Sequence, residues 1–162
     1  MGSNLKPEPI TVVVDTREQM PYSFERMIVG TLHTGDYSVQ GLEDEVAIER
    51  KSLIDAYGSI GQGRERFERE IVRLSEMKYA AIVIESSLKE FLTPPTHSSL
   101  NPKSAIGSLL AWMVKYQIPI IFCDDRAHAQ SVTLKLLEFY VKYRDVYFFS
   151  NLHRTRNEDI SG

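Results

Sequence analysis

Three short apolar, β-branched runs, Ile10 to Thr16, Ala80 to Glu85 and Pro119 to Cys123, constrain this chain more than any other feature. Each is short for a helix and rich in Val and Ile, the pattern of a strand buried on both faces. Helical patterns separate them. One runs from about Ser52 to Met77 with a break near Gly58 to Gly63; one from about Lys103 to Tyr116, entered after Pro102; one from about Ala127 to Tyr143. Strand, helix, strand connections of this length join parallel neighbours through right-handed crossovers. Between the first two runs, Ile28 to Val39 and Glu45 to Ser52 flank a loop of Gly41, Leu42, Glu43 and Asp44, and read as a hairpin that adds antiparallel strands. The expected fold class is α/β, a mixed central sheet flanked by helices on both faces.

The hairpin has a chemical consequence. Its register sets Val39 opposite Val46, Tyr37 opposite Ile48 and Asp36 opposite Glu49, so two carboxylates meet across the strands. Alternation along the second strand sends Val46 and Ile48 to one face and Ala47, Glu49 and Lys51 to the other, predicting one core face and one site face. Magnesium binds oxygen ligands and keeps several waters, so two converging carboxylates are a sufficient protein contribution. Lys51 would then stand beside the ion, placed to orient an attacking water or to offset transition-state charge. Taken singly, Glu-Arg-Lys is ordinary surface chemistry and Gly-Asp an ordinary turn dipeptide. In register they are the parts of a metal-dependent phosphodiester hydrolase.

The residues carry a resemblance. Val12-Val13-Val14-Asp15-Thr16-Arg17-Glu18, Gly35-Asp36, Glu49-Arg50-Lys51-Ser52-Leu53-Ile54-Asp55 and Gly58-Ser59-Ile60 with Gly63-Arg64 are similar to the nuclease domain of the XPF family of structure-specific endonucleases. That family's signature of Gly-Asp, a variable gap, Glu-Arg-Lys, three residues and Asp is matched at every fixed position. The resemblance continues through Ser104 to Leu109 and Ile118 to Phe122, spanning about Ile10 to Tyr143. It implies a restriction-endonuclease-like core and endonuclease activity with Mg2+ or Mn2+ on flap, fork or other branched DNA, in repair or recombination. It further implies metal binding by Asp36, Glu49 and the backbone carbonyl of Arg50, with Lys51 positioning water. Asp15, Arg17, Glu18 and Asp55 match positions at the edge of the site. Asp15 or Asp55 would hold a second metal or orient Lys51; the alternative for each is an ion pair with Arg17 or Arg50.

DNA contacts are expected where the second part of the first helical segment begins. Gly61-Gln62-Gly63 lets backbone approach a phosphate at a helix start, which makes Arg64 the first expected phosphate contact and Arg66 the second, with Arg17 nearby. Arg69 and Arg73 read instead as a solvated face laced with ion pairs. The net charge of −3 does not exclude a nucleic-acid partner, because affinity depends on where cations lie and a metal would neutralise part of the acidic excess.

At 162 residues, 43% hydrophobic and 25% charged, the chain suits one domain, expected over residues 10–150. Residues 1–9 read as a tail or cloning remnant, and 151–162 as a polar, frayed tail. No run is long enough to span a bilayer, so no membrane partner is expected and an intracellular location is: cytoplasm or nucleoid in a prokaryote or phage, nucleus in a eukaryote. Cys123 reads as a buried strand-end thiol, and His33, His97, His128 and His153 lack metal-ligand spacing. Thr93 to Ser99 is a loop, read as a connector rather than a mobile lid. Trp112, Met113 and Tyr116 read as core.

Two other function classes fit the sequence less well. A nuclease-fold DNA-binding or scaffolding subunit without activity has no need of clustered carboxylates. A small-molecule-binding α/β domain lacks its glycine-rich fingerprint, since Asp15-Thr16-Arg17 follows the first strand. The last helix carries more apolar surface than one face needs, with Tyr147, Phe148 and Phe149 following it. Family nuclease domains pair through C-terminal helices, so a homodimer including Phe139, Tyr140 and Tyr143 is expected.

Overall fold

A computed structural model describes the backbone of residues 9–158 and the side chains of residues 9–145. The elements run β1 (Val12–Asp15), β2 (Met27–Gly30), β3 (Tyr37–Val39), β4 (Val46–Ser52), α1 (Leu53–Ile60), α2 (Arg64–Ser75), β5 (Tyr79–Glu85), α3 (Leu88–Phe91), α4 (Pro102–Tyr116), β6 (Ile120–Phe122) and α5 (Arg126–Glu158). The strands form one sheet in the order β2-β1-β3-β4-β5-β6. It is mixed: β3 is antiparallel to both β1 and β4, whereas β1–β2, β4–β5 and β5–β6 are parallel. The expected α/β class with helices on both faces is what forms.

Both faces of the central strands are core. Ala47, Ile82 and Ile84 pack with Tyr57 of α1, Phe67 and Ile71 of α2 and Trp112 of α4. On the opposite face Val12, Val14, Tyr37, Ile48 and Val83 pack with Ala129 and Leu137 of α5. The expectation of one core face and one site face on β4 is therefore corrected. Ala47 is as buried as Val46 and Ile48, because helices cover both sides of a central strand. Chemistry is left to the strand ends.

The hairpin expectation needs two further corrections. Met27–Gly30 is a separate edge strand parallel to β1, in register Val12↔Met27 to Asp15↔Gly30, and not the start of a long hairpin arm. The Tyr37↔Ile48 pairing forms as expected, but the ladder does not step on evenly to Asp36 and Glu49. Instead the Asp36 N–H donates to the Ile48 carbonyl at 2.9 Å. Gly35 explains the irregularity, having φ +77°, a left-handed conformation open to glycine at little cost. A Cβ there would stand 2.9 Å from the Ala47 Cβ, so the turn also needs an absent side chain.

The first helical segment splits at the expected glycines. Ser52 caps α1, its hydroxyl accepting from the Asp55 N–H, and α2 begins after Gly63. Pro102 opens α4 behind an Asn101 cap, and α5 runs on to Glu158, beyond the expected end near Tyr143 and into the stretch expected to fray. Cys123 and Trp112 are buried, as expected, and Met113 and Tyr116 pack partly buried beside that core. Among the described residues no helix is long and apolar enough to cross a membrane.

Candidate active site

The ends of β1 and β4, the Gly35-Asp36 turn and one face of α2 enclose a cleft of about 1320 Å³. Its walls include Asp15, Arg17, Asp36, Glu49, Lys51 and Asp55, residues dispersed over forty sequence positions that the sheet gathers. Pro95 to Leu100 form another wall, so the loop between α3 and α4 borders the cleft as well as connecting helices.

Asp36 and Glu49 are the strained pair. The Asp36 carboxylate accepts the Arg50 N–H at 2.7 Å, which fixes the turn to β4. Burial nevertheless pushes its pKa up to about 6. Glu49 is 4% exposed, and burial, reinforced by the charge of Asp36, raises its carboxyl well above the usual range. One Glu49 oxygen meets Lys51 Nζ at 2.9 Å. The other, Oε2, is buried without a hydrogen-bond partner. Burying a carboxylate oxygen unpartnered is costly unless a cation is to meet it.

Lys51 keeps its charge although burial opposes it, because Glu49 and Glu70 hold its pKa up. Its ammonium lies 3.9 Å from Glu70 Oε2 and 4.7 Å from the centre of the Phe67 ring. Glu70 is a site residue that sequence reasoning missed. The available signal was its position one turn after buried Phe67 and beside buried Ile71, at the margin of the apolar stripe.

Arg50 is tied up in ion pairs at the margin of the cleft. Its guanidinium makes a two-pronged pair with Glu18 at 2.9 and 3.0 Å and a bond of 3.2 Å to Glu85. Glu85 also accepts from the Tyr22 hydroxyl at 2.7 Å and from Arg126 at 3.3 Å. Glu85, Tyr22 and Arg126 were not anticipated; only the apolar run ending at Glu85 hinted that a carboxylate would sit at a buried strand end.

Asp15 resolves into the ion pair. Oδ1 accepts from Arg17 Nε at 2.7 Å and from the Arg17 N–H, and Oδ2 accepts from the Leu32 N–H at 2.7 Å and from Arg17 Nη2. Burial would raise this carboxyl, but these donors, Arg17 foremost, hold it below the usual range. Asp55 is exposed, and its carboxylate accepts from the Ser52 hydroxyl at the start of α1.

The arginines differ from expectation. Arg64 is laid against α4, its guanidinium 4.7 Å from the Trp112 ring centre and donating to the Ser108 hydroxyl at 2.8 Å. Arg66 and Arg73 line the cleft instead, together with Arg17, whose side chain is 67% exposed. Arg66 and Arg73 thus face the acidic cleft, whereas Arg64, expected ahead of Arg66 as a phosphate contact, lies against its neighbour helix.

The donor set fits a divalent cation. Among the described residues no three His, Cys, Asp or Glu side chains form a metal cage. A magnesium-type ion that keeps its waters needs fewer, and the unpartnered Oε2 of Glu49, a carboxyl that feels the charge of Asp36, is the kind of oxygen it takes.

A mixed six-stranded sheet with this acid-and-lysine cleft at its strand ends defines an α/β domain with the fold of the XPF nuclease domain. The match extends to solved structures of XPF from Aeropyrum pernix, with TM-score 0.66, 22% identity, 86% of this chain and 69% of that chain covered. For XPF from Aeropyrum pernix in complex with DNA the values are TM-score 0.65, 21% identity and coverage of 84% and 66%. The profile of the ERCC4 domain matches residues 14–136, and the chain belongs to that family. A protein of Methanocaldococcus jannaschii bearing the name "Putative ATP-dependent RNA helicase MJ1505" is 25% identical over 135 residues. The match takes in 81% of this chain but only 16% of that protein's length.

Proposed function

We infer that this domain is a divalent-metal-dependent DNA endonuclease. The observation that carries this reading is the pairing of part-buried Asp36 with buried Glu49, one Glu49 oxygen being unpartnered and Lys51 holding the other. A metal-free scaffold would gain nothing from two crowded carboxylates. Asp36, Glu49 and the carbonyl of Arg50 would hold Mg2+ or Mn2+, which supplies Lewis-acid polarisation of the phosphate. The chain's own residues do the rest. Lys51 donates from its ammonium to the incoming water or to the developing phosphorane charge. Asp36 is aimed by the Arg50 N–H, and the Arg50 side chain is held by Glu18 and Glu85. Arg17, Arg66 and Arg73 supply cations on the cleft wall for flanking phosphates. Asp15 serves as the anchor of Arg17.

The substrate class is DNA with flaps, forks or other single-strand and duplex junctions, as in repair or recombination. The wide, open-ended cleft supports this, as does the description of a fold neighbour as a complex with DNA. The protein works as a homodimer paired through α5. The test is incubation with labelled flap, fork, nicked and duplex DNAs, with and without Mg2+ or Mn2+. Metal-dependent cutting is expected, lost by at least ~10²-fold in Asp36→Asn and Glu49→Gln with binding retained, the scale of removing one transition-state stabiliser. Binding without cutting by the unaltered chain would make it a DNA-binding or scaffolding subunit.

A further inference from the structure

Lys51 has two carboxylates within ion-pair distance, Glu49 and Glu70, and the proposed chemistry uses up one of them. In the structure Nζ is paired with Glu49 Oε1 at 2.9 Å. Glu49 is also the group whose other oxygen is buried and unpartnered. Once Glu49 is committed to a cation, its charge is shared and its hold on Lys51 weakens. An ammonium on a flexible four-carbon stem is then free to leave the reacting phosphate, unless something else fixes it.

Glu70 is placed to do that. Its Oε2 lies 3.9 Å from Nζ, and the Glu70 side chain is only 22% exposed. Phe67, one helical turn before it on α2, presents its ring face to the same ammonium at 4.7 Å. Anion and ring belong to one helix, and their backbone is anchored by buried Phe67, Ile71 and Leu74. The cradle is therefore rigid and independent of β4, which carries Lys51 and Glu49 themselves.

We propose that Glu70 is a positioning residue, which together with the Phe67 ring holds the Lys51 ammonium over the cleft when Glu49 is engaged elsewhere. This rests on the endonuclease reading and adds a residue to it. Glu70 touches neither metal nor DNA in this role. It acts through Lys51 alone, and that makes the proposal testable by non-additivity.

The experiment is a double-mutant cycle of Lys51→Met and Glu70→Gln in the full chain, read by single-turnover cleavage and by DNA affinity in metal-free buffer. Glu70→Gln is expected to slow the chemical step by at least ~10-fold with affinity unchanged or slightly tighter, since a negative charge has left the cleft. In the Lys51→Met background it should do nothing further. Full multiplicative losses, or normal turnover in Glu70→Gln while Lys51→Met is impaired, overturn the proposal and leave the endonuclease reading standing. Full activity of Lys51→Met and Asp36→Asn overturns the endonuclease reading itself. A second measurement is independent of activity. Crystal structures of Glu49→Gln and Glu49→Gln/Glu70→Gln should show Nζ kept over the Phe67 ring in the first and released in the second, and an unmoved Nζ in both removes the positioning role.

Discussion

Asp36 links the site to stability through its protonation. Burial raises its carboxyl to about 6, so the folded state binds a proton more tightly than the unfolded chain, whose aspartates titrate near ~3.9. Stability from this group is thus fully present below the unfolded value and is lost as pH rises through about 6, and Glu49, also raised, adds in the same direction. Asp15 and Glu18 work oppositely, since their pKa values are lowered and their contribution is lost as pH falls. A comparison of wild type with Asp36→Asn cancels those two. Asparagine keeps an acceptor for the Arg50 N–H but carries no charge. In chelator, urea unfolding should find the variant close to wild type at pH 4.5 and more stable at pH 7, by on the order of 2 kcal/mol. Adding Mg2+ at pH 7 should stabilise wild type and not the variant, because only the charged site gains by binding. An Asp36→Asn chain that loses stability relative to wild type between those pH values would show that the carboxylate is not crowded.

At the scale of elements, two small structures decide where the site residues point. The first is the Gly35 turn, where alanine would have to adopt φ +77° and meet Ala47 at 2.9 Å. Gly35→Ala is expected to cost about 2–3 kcal/mol from left-handed strain and overpacking. It should lower cleavage beyond what its melting temperature explains, since Asp36 moves with it. The second is the start of α2, which sends Arg66 to the cleft and Arg64 to Trp112. Arg66→Ala should weaken DNA binding and reduce the salt slope by about one counterion, whereas Arg64→Ala should leave the slope alone and cost ~0.5–1 kcal/mol of stability through the lost ring contact. Equal salt slopes for the two variants would remove the distinction. These two elements also mark the edge of what sequence shows. The strands, the glycine break before α2, the Pro102 start of α4 and the gathering of Asp36, Glu49 and Lys51 follow from periodicity and motif spacing, which are local. The side to which Arg64 turns was not legible, because helical phase relative to α4 is set by tertiary packing of Phe67 and Trp112, which spacing alone does not encode. Glu85 and Arg126 were missed because Glu85 meets Arg50, 35 positions away, and Arg126 meets Glu85, 41 positions away, only once β5 and α5 are placed. Met27–Gly30 was assigned to the wrong partner because a short edge strand carries no pattern that separates parallel from antiparallel pairing.

For the whole molecule, the proposed homodimer depends on the apolar side chains that α5 leaves exposed. Of the three residues expected at an interface, Tyr140 faces inward, its ring stacked on Tyr79 with centroids 6.1 Å apart and its hydroxyl donating to Glu45 at 2.8 Å. Phe139 and Tyr143, one turn apart, face outward at 50% and 46% exposure with their rings 6.1 Å apart. In the sequence Tyr147, Phe148 and Phe149 continue the apolar run; their side chains lie outside the described residues. Paired α5 helices across a two-fold axis would bury the same patch on each protomer, the self-complementary geometry of a symmetric dimer. Sedimentation at micromolar concentration should give a species of twice the 18.5 kDa chain mass. Phe139→Glu with Tyr143→Glu should return it to monomer, while Val114→Glu on exposed α4 should not. Because Phe139 and Tyr143 do not support the chain's own core, the monomeric variant should keep its melting temperature and its single-site chemistry. Its loss should appear in affinity instead, since two linked clefts raise each other's effective concentration along one branched DNA by ~10²-fold or more. A wild-type chain that sediments as a monomer, with affinity unchanged by the paired glutamates, would assign α5 to another partner.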